Sequence, residues 1–394
     1  MSNLIKEKIN QAIQILQEED IDCWLTLVRE SGIVHDPMLD FLIEADVTWL
    51  SAFIITRTGE SIALVGQMDR ATIEELGVYS SVLSYVQGIK KLLLSTLQRL
   101  NPRQIAVNFS EESEICDGLT HGLYLKLVDY LKEINLEKKI ISAQKVISRL
   151  RARKTPTEMD RIKRAIVQTE EIFSLVTDFI KPGRTEREIA DFMIAEVHRR
   201  GLGFAWERSH CPAVFTGPET AEAHYRPTDR RVEPGHILNM DFGVEVDGYV
   251  SDLQRTFYIR RPGEEAAPPE VSRGFQAIVT AIELARRKLK PGIQGVEVDR
   301  VAREYLVSQG YEEFPHALGH QVGRFAHDGT ALLGPAWEKY AGKPFEVIEP
   351  QMVFTLEPRL KIEKRGIVTI EEMVVVTPDG AEFLSTPQKE LILI

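Results

Sequence analysis

Two tripeptides, Lys181-Pro182-Gly183 and Lys290-Pro291-Gly292, stand 109 residues apart, and Gly201 recurs at the same offset as Gly310. Each tripeptide ends one amphipathic run and opens another, because proline cannot continue a helix and glycine accepts the left-handed turn that closes one. Further on, Glu233-Pro234 leads through HILNM to Asp241, and Glu349-Pro350 leads through MVFTL to Glu357. The acid stands eight residues after the glutamate both times, at an offset of 116 that implies a short insertion in the second copy. A repeat on this scale constrains the fold more than any single motif. Residues from about 155 to 394 read as two related halves, each of two helices followed by antiparallel strands. A pseudo-twofold arrangement of the halves places Asp241 opposite Glu357.

The first half contains ILNMDFGVEVDGYVSDLQRTFYI, from Ile237 to Ile259, in which Asp247-Gly248 separates two strand-like runs. That dipeptide is a strong signal for a two-residue type I′ turn, and the turn sets the register. With Val246 opposite Tyr249, Gly243 faces Asp252 and Asp241 faces Gln254. Asp241 and Asp252 then project from one face as diagonal neighbours. Two like charges on the apolar side of a sheet need a compensating cation or proton, which makes a shared metal ion a simple explanation. The alternative is a turn aspartate plus an exposed ladder residue.

The second half supplies its own hairpin, QMVFTLEP and IVTIEEMVVVT. Alternation puts only one of Glu371 and Glu372 on the core face, and the pattern alone does not say which. Between the halves lies HALGHQVGRFAHDG, with His316, His320 and His327, three of the nine histidines in the chain. Upstream, His224 sits in AEAHYRPT, seventeen residues before Asp241. His210 adjoins Cys211, but neighbours on a strand point to opposite faces, so they make a poor nucleophilic pair.

At 394 residues the chain is too long for one ordinary core, and two domains are expected. Residues 1–148 alternate helix (4–19) and strand-like runs (CWLTLV, SAFIIT, SIALVG, SVLSYV, QIAVNFS), with helical periodicity again from about 119 to 134. They read as an α/β domain with no constellation of their own, suited to packing, oligomerisation or substrate gating. The boundary falls before the helix that Thr155, Pro156 and Glu158 open as a capping box; Thr185 and Glu188 form a second. The basic segment Arg149–Lys154 reads as a solvated linker. Three widely separated cysteines provide neither a disulfide framework nor a thiolate zinc site, so a metal must use carboxylates and imidazoles. A net charge of −11 disfavours nucleic acid as a partner. An amphipathic N-terminus without a secretory pattern, and the lack of a bilayer-length apolar run, point to the cytoplasm and away from membranes.

The order Asp241, Asp252, GHQVG, Glu357-Pro358, Glu371 resembles the pita-bread metallopeptidases, the family of methionine aminopeptidase, aminopeptidase P, prolidase and the metal-free creatinase. DFGVEVDGYVSDLQRTF is similar to the family's first metal hairpin, HALGHQVG to its histidine segment, LEP to its third element and IEEMVVVT to its last. The resemblance covers roughly residues 148–394, with a looser likeness of the first 148 to the creatinase-type N-terminal domain. It implies an α+β pita-bread catalytic domain (149–394) with a pseudo-twofold repeat, preceded by an α/β creatinase-type domain (1–148). It further implies that Asp252 and Glu371, rather than Glu372, bridge two metals, that Asp241 belongs mainly to one, and that His320 and Glu357 belong to the other. His224 in AHY and His327 in AHD match the family's substrate-side histidines. Where the family often has Gly after the Glu-Pro and Arg two residues before the last Glu, this chain has Arg359 and Thr369.

Four carboxylates and one imidazole make a mainly hard, oxygen-rich donor set, suited to Mn²⁺ first and also to Co²⁺, Fe²⁺ or Zn²⁺. The expected activity is two-metal hydrolysis of the bond before proline in short peptides, by an Xaa-Pro aminopeptidase or dipeptidase. Glu357 shuttles the proton, His224 and His327 hold the scissile carbonyl and leaving nitrogen, and Phe215, Tyr225, His316 and Phe325 form walls for the proline ring. A homodimer is expected from the resemblance. A creatinase-like hydrolase of small C–N compounds, or a peptidase-like binding protein, are the other functions this fold hosts.

Overall fold

The computed structural model describes residues 2–219 and 226–394. The chain divides into two compact units, Met1–Arg151 and Ala152–Ile394.

In the first unit, helix α1 (Ser2–Glu18) precedes strands β1 (Cys23–Val28), β2 (Ser51–Thr56) and β3 (Ser61–Gly66). Helix α2 (Arg70–Glu75), strand β4 (Ser81–Tyr85), helix α3 (Lys90–Leu100) and strand β5 (Ile105–Val107) follow, then α4 (His121–Lys132), β6 (Ile140–Ser142) and α5 (Gln144–Ala152). The strands form one mixed sheet in the order β4-β3-β2-β1-β5-β6. Its central strands are buried throughout, which is why their sequences run apolar without alternation. Trp24 and Val28 face the core made with α1, while Cys23, Leu25 and Leu27 face the one made with α3 and α4. The segment read as a solvated linker is in fact packed: α5 carries Arg151, fully buried, donating to the Pro37 carbonyl at 2.9 Å and lying over the Phe41 ring. Its aliphatic stem fills apolar space while its head finds a carbonyl, which a count of basic residues does not reveal.

The second unit opens with α6 (Pro156–Phe179) and α7 (Glu186–Arg199), both begun by the expected capping boxes at Thr155/Glu158 and Thr185/Glu188. Strands β7 (Gly203–Phe204), β8 (Ala213–Thr216), β9 (Ile237–Phe242), β10 (Val244–Val246), β11 (Tyr249–Val250) and β12 (Leu253–Tyr258) complete the first half. The second half repeats it with α8 (Pro269–Lys288) and α9 (Gly295–Ser308). Then come β13 (Gly319–His320), β14 (Leu332–Leu333), β15 (Val353–Leu356), β16 (Arg359–Ile362), β17 (Gly366–Thr369), β18 (Glu372–Val376), β19 (Ala381–Phe383) and the terminal β20 (Ile392–Leu393).

The repeat holds down to single hydrogen bonds. Gly183 and Gly292 both have positive φ, +91° and +88°. Gly183 N–H donates to the Val232 carbonyl and Gly292 N–H to that of Ile348, at 2.8 and 2.9 Å. Thr185 bridges Arg231 and Gln294 bridges Val347, and Gln294/Glu297 form a third capping box in the place of Thr185/Glu188.

The first hairpin has the register its turn dictates. Val246 faces Tyr249 and Asp241 faces Gln254, with Asp247 and Gly248 both at positive φ as a type I′ turn requires. Between the paired segments Gly243 approaches the Ser251 carbonyl so closely that an added Cβ would lie 1.8 Å from its oxygen. Gly243→Ala is therefore expected to destabilise this unit by about 3 kcal/mol or more, through overpacking against backbone that cannot move aside. The urea midpoint of the transition of residues 152–394 measures it.

Candidate metal centre

The site is assembled by one row of residues running across two hairpins. On the first, Asp241 of β9 is paired with Gln254 of β12, and Asp252 lies two residues before Gln254 on the same face. On the second, Leu356 faces Glu372 and Arg359 faces Thr369, which sets Glu357 directly opposite Glu371. An isolated bridge between Gln254 and Glu371 joins the hairpins, so the row reads Asp241, Gln254, Glu371, Glu357. Asp241 and Glu357, which the repeat set opposite one another, thus stand at its two ends.

His320 enters from β13. Its N–H donates to Thr355 Oγ1 at 3.1 Å, and the Glu357 N–H donates to the Leu318 carbonyl at 2.8 Å. The approach needs Gly319, where a Cβ would stand 1.9 Å from the Thr355 carbonyl oxygen. His320 Nε2 then lies 3.2 Å from Glu357 Oε1, 3.8 Å from Asp252 Oδ2 and 3.9 Å from Glu371 Oε1. Its Nδ1 is 3.4 Å from the Gln321 carbonyl, so Nε2 is the ring nitrogen turned to the acids. Asp241, Asp252, His320, Glu357 and Glu371 all line one cavity of about 250 Å³.

Residues 160–378 match the model of metallopeptidase family M24. The chain belongs to that family. It is 27% identical over 279 residues to the uncharacterised peptidase YqhT of Bacillus subtilis, covering 71% of this chain and 73% of that one. With the Xaa-Pro dipeptidase of Pyrococcus furiosus it shares 29% over 276 residues, 70% of this chain and 75% of that one. The solved Xaa-Pro dipeptidase from Bacillus anthracis superposes with a TM-score of 0.75 at 22% identity, covering 99% of this chain and 100% of that one. For dipeptidase PepE from Mycobacterium ulcerans the values are 0.72 and 24%, with 100% and 98% covered. The fold is thus the pita-bread fold of M24 peptidases.

M24 membership makes this a peptidase that depends on divalent metal, and the residues fit such an ion. Asp241 Oδ1 and Glu371 Oε1 are buried oxygens without a hydrogen-bond partner among the described residues, a costly state that a cation relieves. Single donor atoms of Asp252, His320 and Glu371 all lie within 4.8 Å of one another. Burial, with the charges of Asp252 and Glu357, holds the Asp241 carboxyl well above the usual range. Burial and three neighbouring acids do the same to Glu371. Burial lifts Asp252 to about 7. Burial would lower the His320 imidazole, but its hydrogen bond to Glu357 and the Glu357 and Asp252 charges lift it to about 9. For Glu357 burial works upward, yet the bond and charge of His320 keep it below the ordinary carboxylate range.

Glu372 points the other way. It takes the Arg255 guanidinium at 3.1 Å, the Ser385 hydroxyl and the Gln388 N–H, in a buried salt bridge on the face away from the cluster, where Arg255 also donates to the Gln254 and Glu371 carbonyls. Cys211 is equally uninvolved: its thiol donates to the Gly243 carbonyl at 3.3 Å, and burial pushes it up to about 12.

A second cavity, of about 210 Å³, opens beside the first and is walled by Phe215, His316, Tyr340, Arg359 and Ile367. His327 borders both cavities, its ring edge-on to His320 at 4.3 Å. Phe325 does not take the wall position expected of it. It is 44% exposed and borders neither cavity, because a turn closed from Gly323 N–H to the Phe325 carbonyl carries it outward. His224 and Tyr225 lie outside the described residues. Two features escaped sequence reasoning. Lys154 and Asp328, both buried, stand 3.9 Å apart, and Asp328 accepts from the Arg324 N–H, bracing the loop that bears His327. Gln254 sits among the acids; the hairpin register named its position, but a neutral amide carries no ligand signal.

Asp252→Ala or Glu371→Ala is expected to abolish binding of a metal pair, whereas Glu372→Ala keeps the metal and loses about 3–5 kcal/mol of stability by stranding Arg255. Elemental analysis and denaturation separate the three variants. Because Asp252 and His320 hold protons up to about 7 and 9, metal must displace them. Affinity for Mn²⁺ is therefore expected to rise from pH 6 to pH 9, with proton release visible by calorimetry in buffers of different ionisation enthalpy.

Proposed function

We propose that this M24 peptidase is a dinuclear-metal exopeptidase hydrolysing the bond before proline in short peptides, as an Xaa-Pro aminopeptidase or Xaa-Pro dipeptidase. The observation that carries the reading is the convergence of four carboxylates and His320 on one cavity wall, with buried oxygens of Asp241 and Glu371 left unpartnered. The proline specificity is drawn from the Xaa-Pro dipeptidase among the relatives and from the apolar residues that line the adjoining cavity. Asp241, Asp252, His320, Glu357 and Glu371 would hold the cations. Mn²⁺ is the preferred ion for so oxygen-rich a set, with Co²⁺, Fe²⁺ and Zn²⁺ compatible. When bound, such a pair makes a water acidic enough to act as nucleophile near neutral pH and offsets charge developing on the carbonyl oxygen.

The chain's own residues do the remaining work. Glu357, held ionised by His320, accepts the proton of the attacking water and returns it to the leaving amine. His327, on the border of both cavities, is placed to donate to the substrate at the scissile bond. Ala213, Phe215 and Ile367 form a small apolar cluster on the wall of the second cavity, and burial holds His316 beside it toward the neutral form. Such a wall suits a pyrrolidine ring. An Xaa-Pro amide has no N–H, so selection must rest on ring shape rather than on a donated hydrogen. The roles of His224 in holding the carbonyl and of Tyr225 in the wall rest on resemblance alone.

We further propose a homodimer, supported by Ile33, Met68 and Val86 standing exposed on the first unit, and a cytoplasmic location, supported by three free, buried cysteines. No helix among the described residues is long and apolar enough to cross a membrane. Light scattering at micromolar concentration tests the dimer, and a monomer there would remove it.

Steady-state hydrolysis of Ala-Pro, Ala-Ala and Ala-Pro-Ala tests the activity. The expected outcome is preference for proline in the second position and, in His327→Ala, a turnover number lowered about 10²–10⁴-fold with both metals retained. Preference for Ala-Ala, or full activity in the variant, would leave the family assignment standing and remove the proline reading.

A further inference from the structure

Gln254 is 9% exposed and lies between two acids that meet from opposite strands of the second hairpin. Its Nε2 donates to Glu371 Oε2 at 3.0 Å and to Glu357 Oε2 at 3.5 Å. Its Oε1 accepts from Thr369 Oγ1 at 2.9 Å. Thr369 Oγ1 is also 3.4 Å from the Pro358 carbonyl, and the shorter contact takes the proton. Main-chain bonds in both directions, Gln254 N–H to the Glu371 carbonyl at 3.4 Å and Glu371 N–H to the Gln254 carbonyl at 3.2 Å, hold the two residues abreast.

Resting on the ligand set proposed above, we infer that Gln254 is a positioning residue that divides the oxygens of Glu357 and Glu371 between protein and metal. The amide engages Oε2 of each acid. Of the Oε1 atoms, that of Glu371 is buried without a hydrogen-bond partner among the described residues, and that of Glu357 is 3.2 Å from His320 Nε2 and takes the Thr355 hydroxyl at a longer 3.4 Å. Glu371 Oε1 lies 3.9 Å from the same nitrogen. A primary amide suits the position because its two hydrogens serve two carboxylates without adding charge. A cationic side chain there would compete with the metal, an acidic one would add a further repulsion, and an alkyl one would strand a buried oxygen. The hydroxyl of Thr369 decides which end of the amide faces the acids, since it donates to Oε1 and leaves Nε2 pointing inward. Thr369 thus acquires a task of its own.

The test titrates chelator-treated full-length protein with Mn²⁺, reading affinity and stoichiometry by calorimetry and metal pairing by electron paramagnetic resonance. Wild type is expected to take up two Mn²⁺ per chain as a coupled pair. Gln254→Leu should bind about 10–100-fold more weakly, the range for loss of a group that orients a ligand, with an altered pair spectrum. Thr369→Val should show a smaller loss in the same direction, and Thr369→Ser should restore wild-type binding. In the Gln254→Leu background Thr369→Val should add nothing, because no amide remains to orient. Wild-type affinity in Gln254→Leu, or full additivity of the two substitutions, would overturn the inference. If Gln254→Leu fails to fold, the near-isosteric Thr369→Val decides alone: unchanged Mn²⁺ affinity in it would overturn the inference. Wild-type protein that takes up no metal pair would instead overturn the ligand set itself, an outcome distinct from either.

Discussion

Asp241, Asp252, Glu357 and Glu371 are gathered on one cavity wall, largely withdrawn from solvent, and burial raises the carboxyls of three of the four. Like charges so placed repel, and no ordinary packing preference would assemble them. The scaffold therefore has to hold them against that repulsion with groups that cannot retreat. It does so with backbone: paired strands β9 and β12, the hairpin of β15 to β18, and close approaches at Gly243 and Gly319 where no side chain fits. His320 brings an imidazole into the cluster, and its hydrogen bond and charge keep the Glu357 carboxyl below the ordinary range while burial raises the other three. The residual electrostatic deficit is what a divalent cation would fill.

The two halves share a backbone plan but divide the chemistry unequally. Asp241 and Glu357 occupy equivalent places, and their cross-strand partners are Gln254 and Glu371. Two residues earlier on the return strands stand Asp252 and Thr369. Each return strand thus offers one acid and one neutral hydrogen-bonding residue, in opposite order. The neutral pair, Thr369 and Gln254, is joined by its own hydrogen bond across the interface of the halves. A strictly symmetric site would have carried either two amides or two extra acids in the central row; the exchange of order yields a cluster with one amide between acids. The other substitution noted in the sequence, Arg359, faces Thr369 directly across the hairpin and borders the second cavity.

Much of this was readable without coordinates because it follows from rules local in sequence. The Asp247-Gly248 turn and the period-two alternation of strands were enough to place Asp241 opposite Gln254, and the capping boxes at Thr155 and Thr185 marked true helix starts. The repeat revealed two equivalent halves, since turn and helix-end chemistry recurs wherever the same supersecondary unit does. In the first unit, strands β1 to β3 matched their apolar runs to the residue, while α2, α3, α5 and β6 carried weaker patterns and were not anticipated.

Other features depended on which distant segments meet. Alternation alone left Glu371 and Glu372 open and only resemblance pointed to Glu371; the physical reason is the register of β15 with β18, with Arg255 taking Glu372 on the other side. Gln254 and Glu371 are 117 residues apart, so no window of sequence could show an amide serving that acid. Burial of Arg151 and Lys154 turned an apparent linker into packing, and the turn at Gly323 took Phe325 away from the cavity. The sequence alone determined the residue types, the turn and the repeat that bring acids near one another. Only the tertiary structure decided which face each side chain took and which neutral groups stood between the acids, because those outcomes depend on pairings between hairpins rather than on the preferences of any one segment.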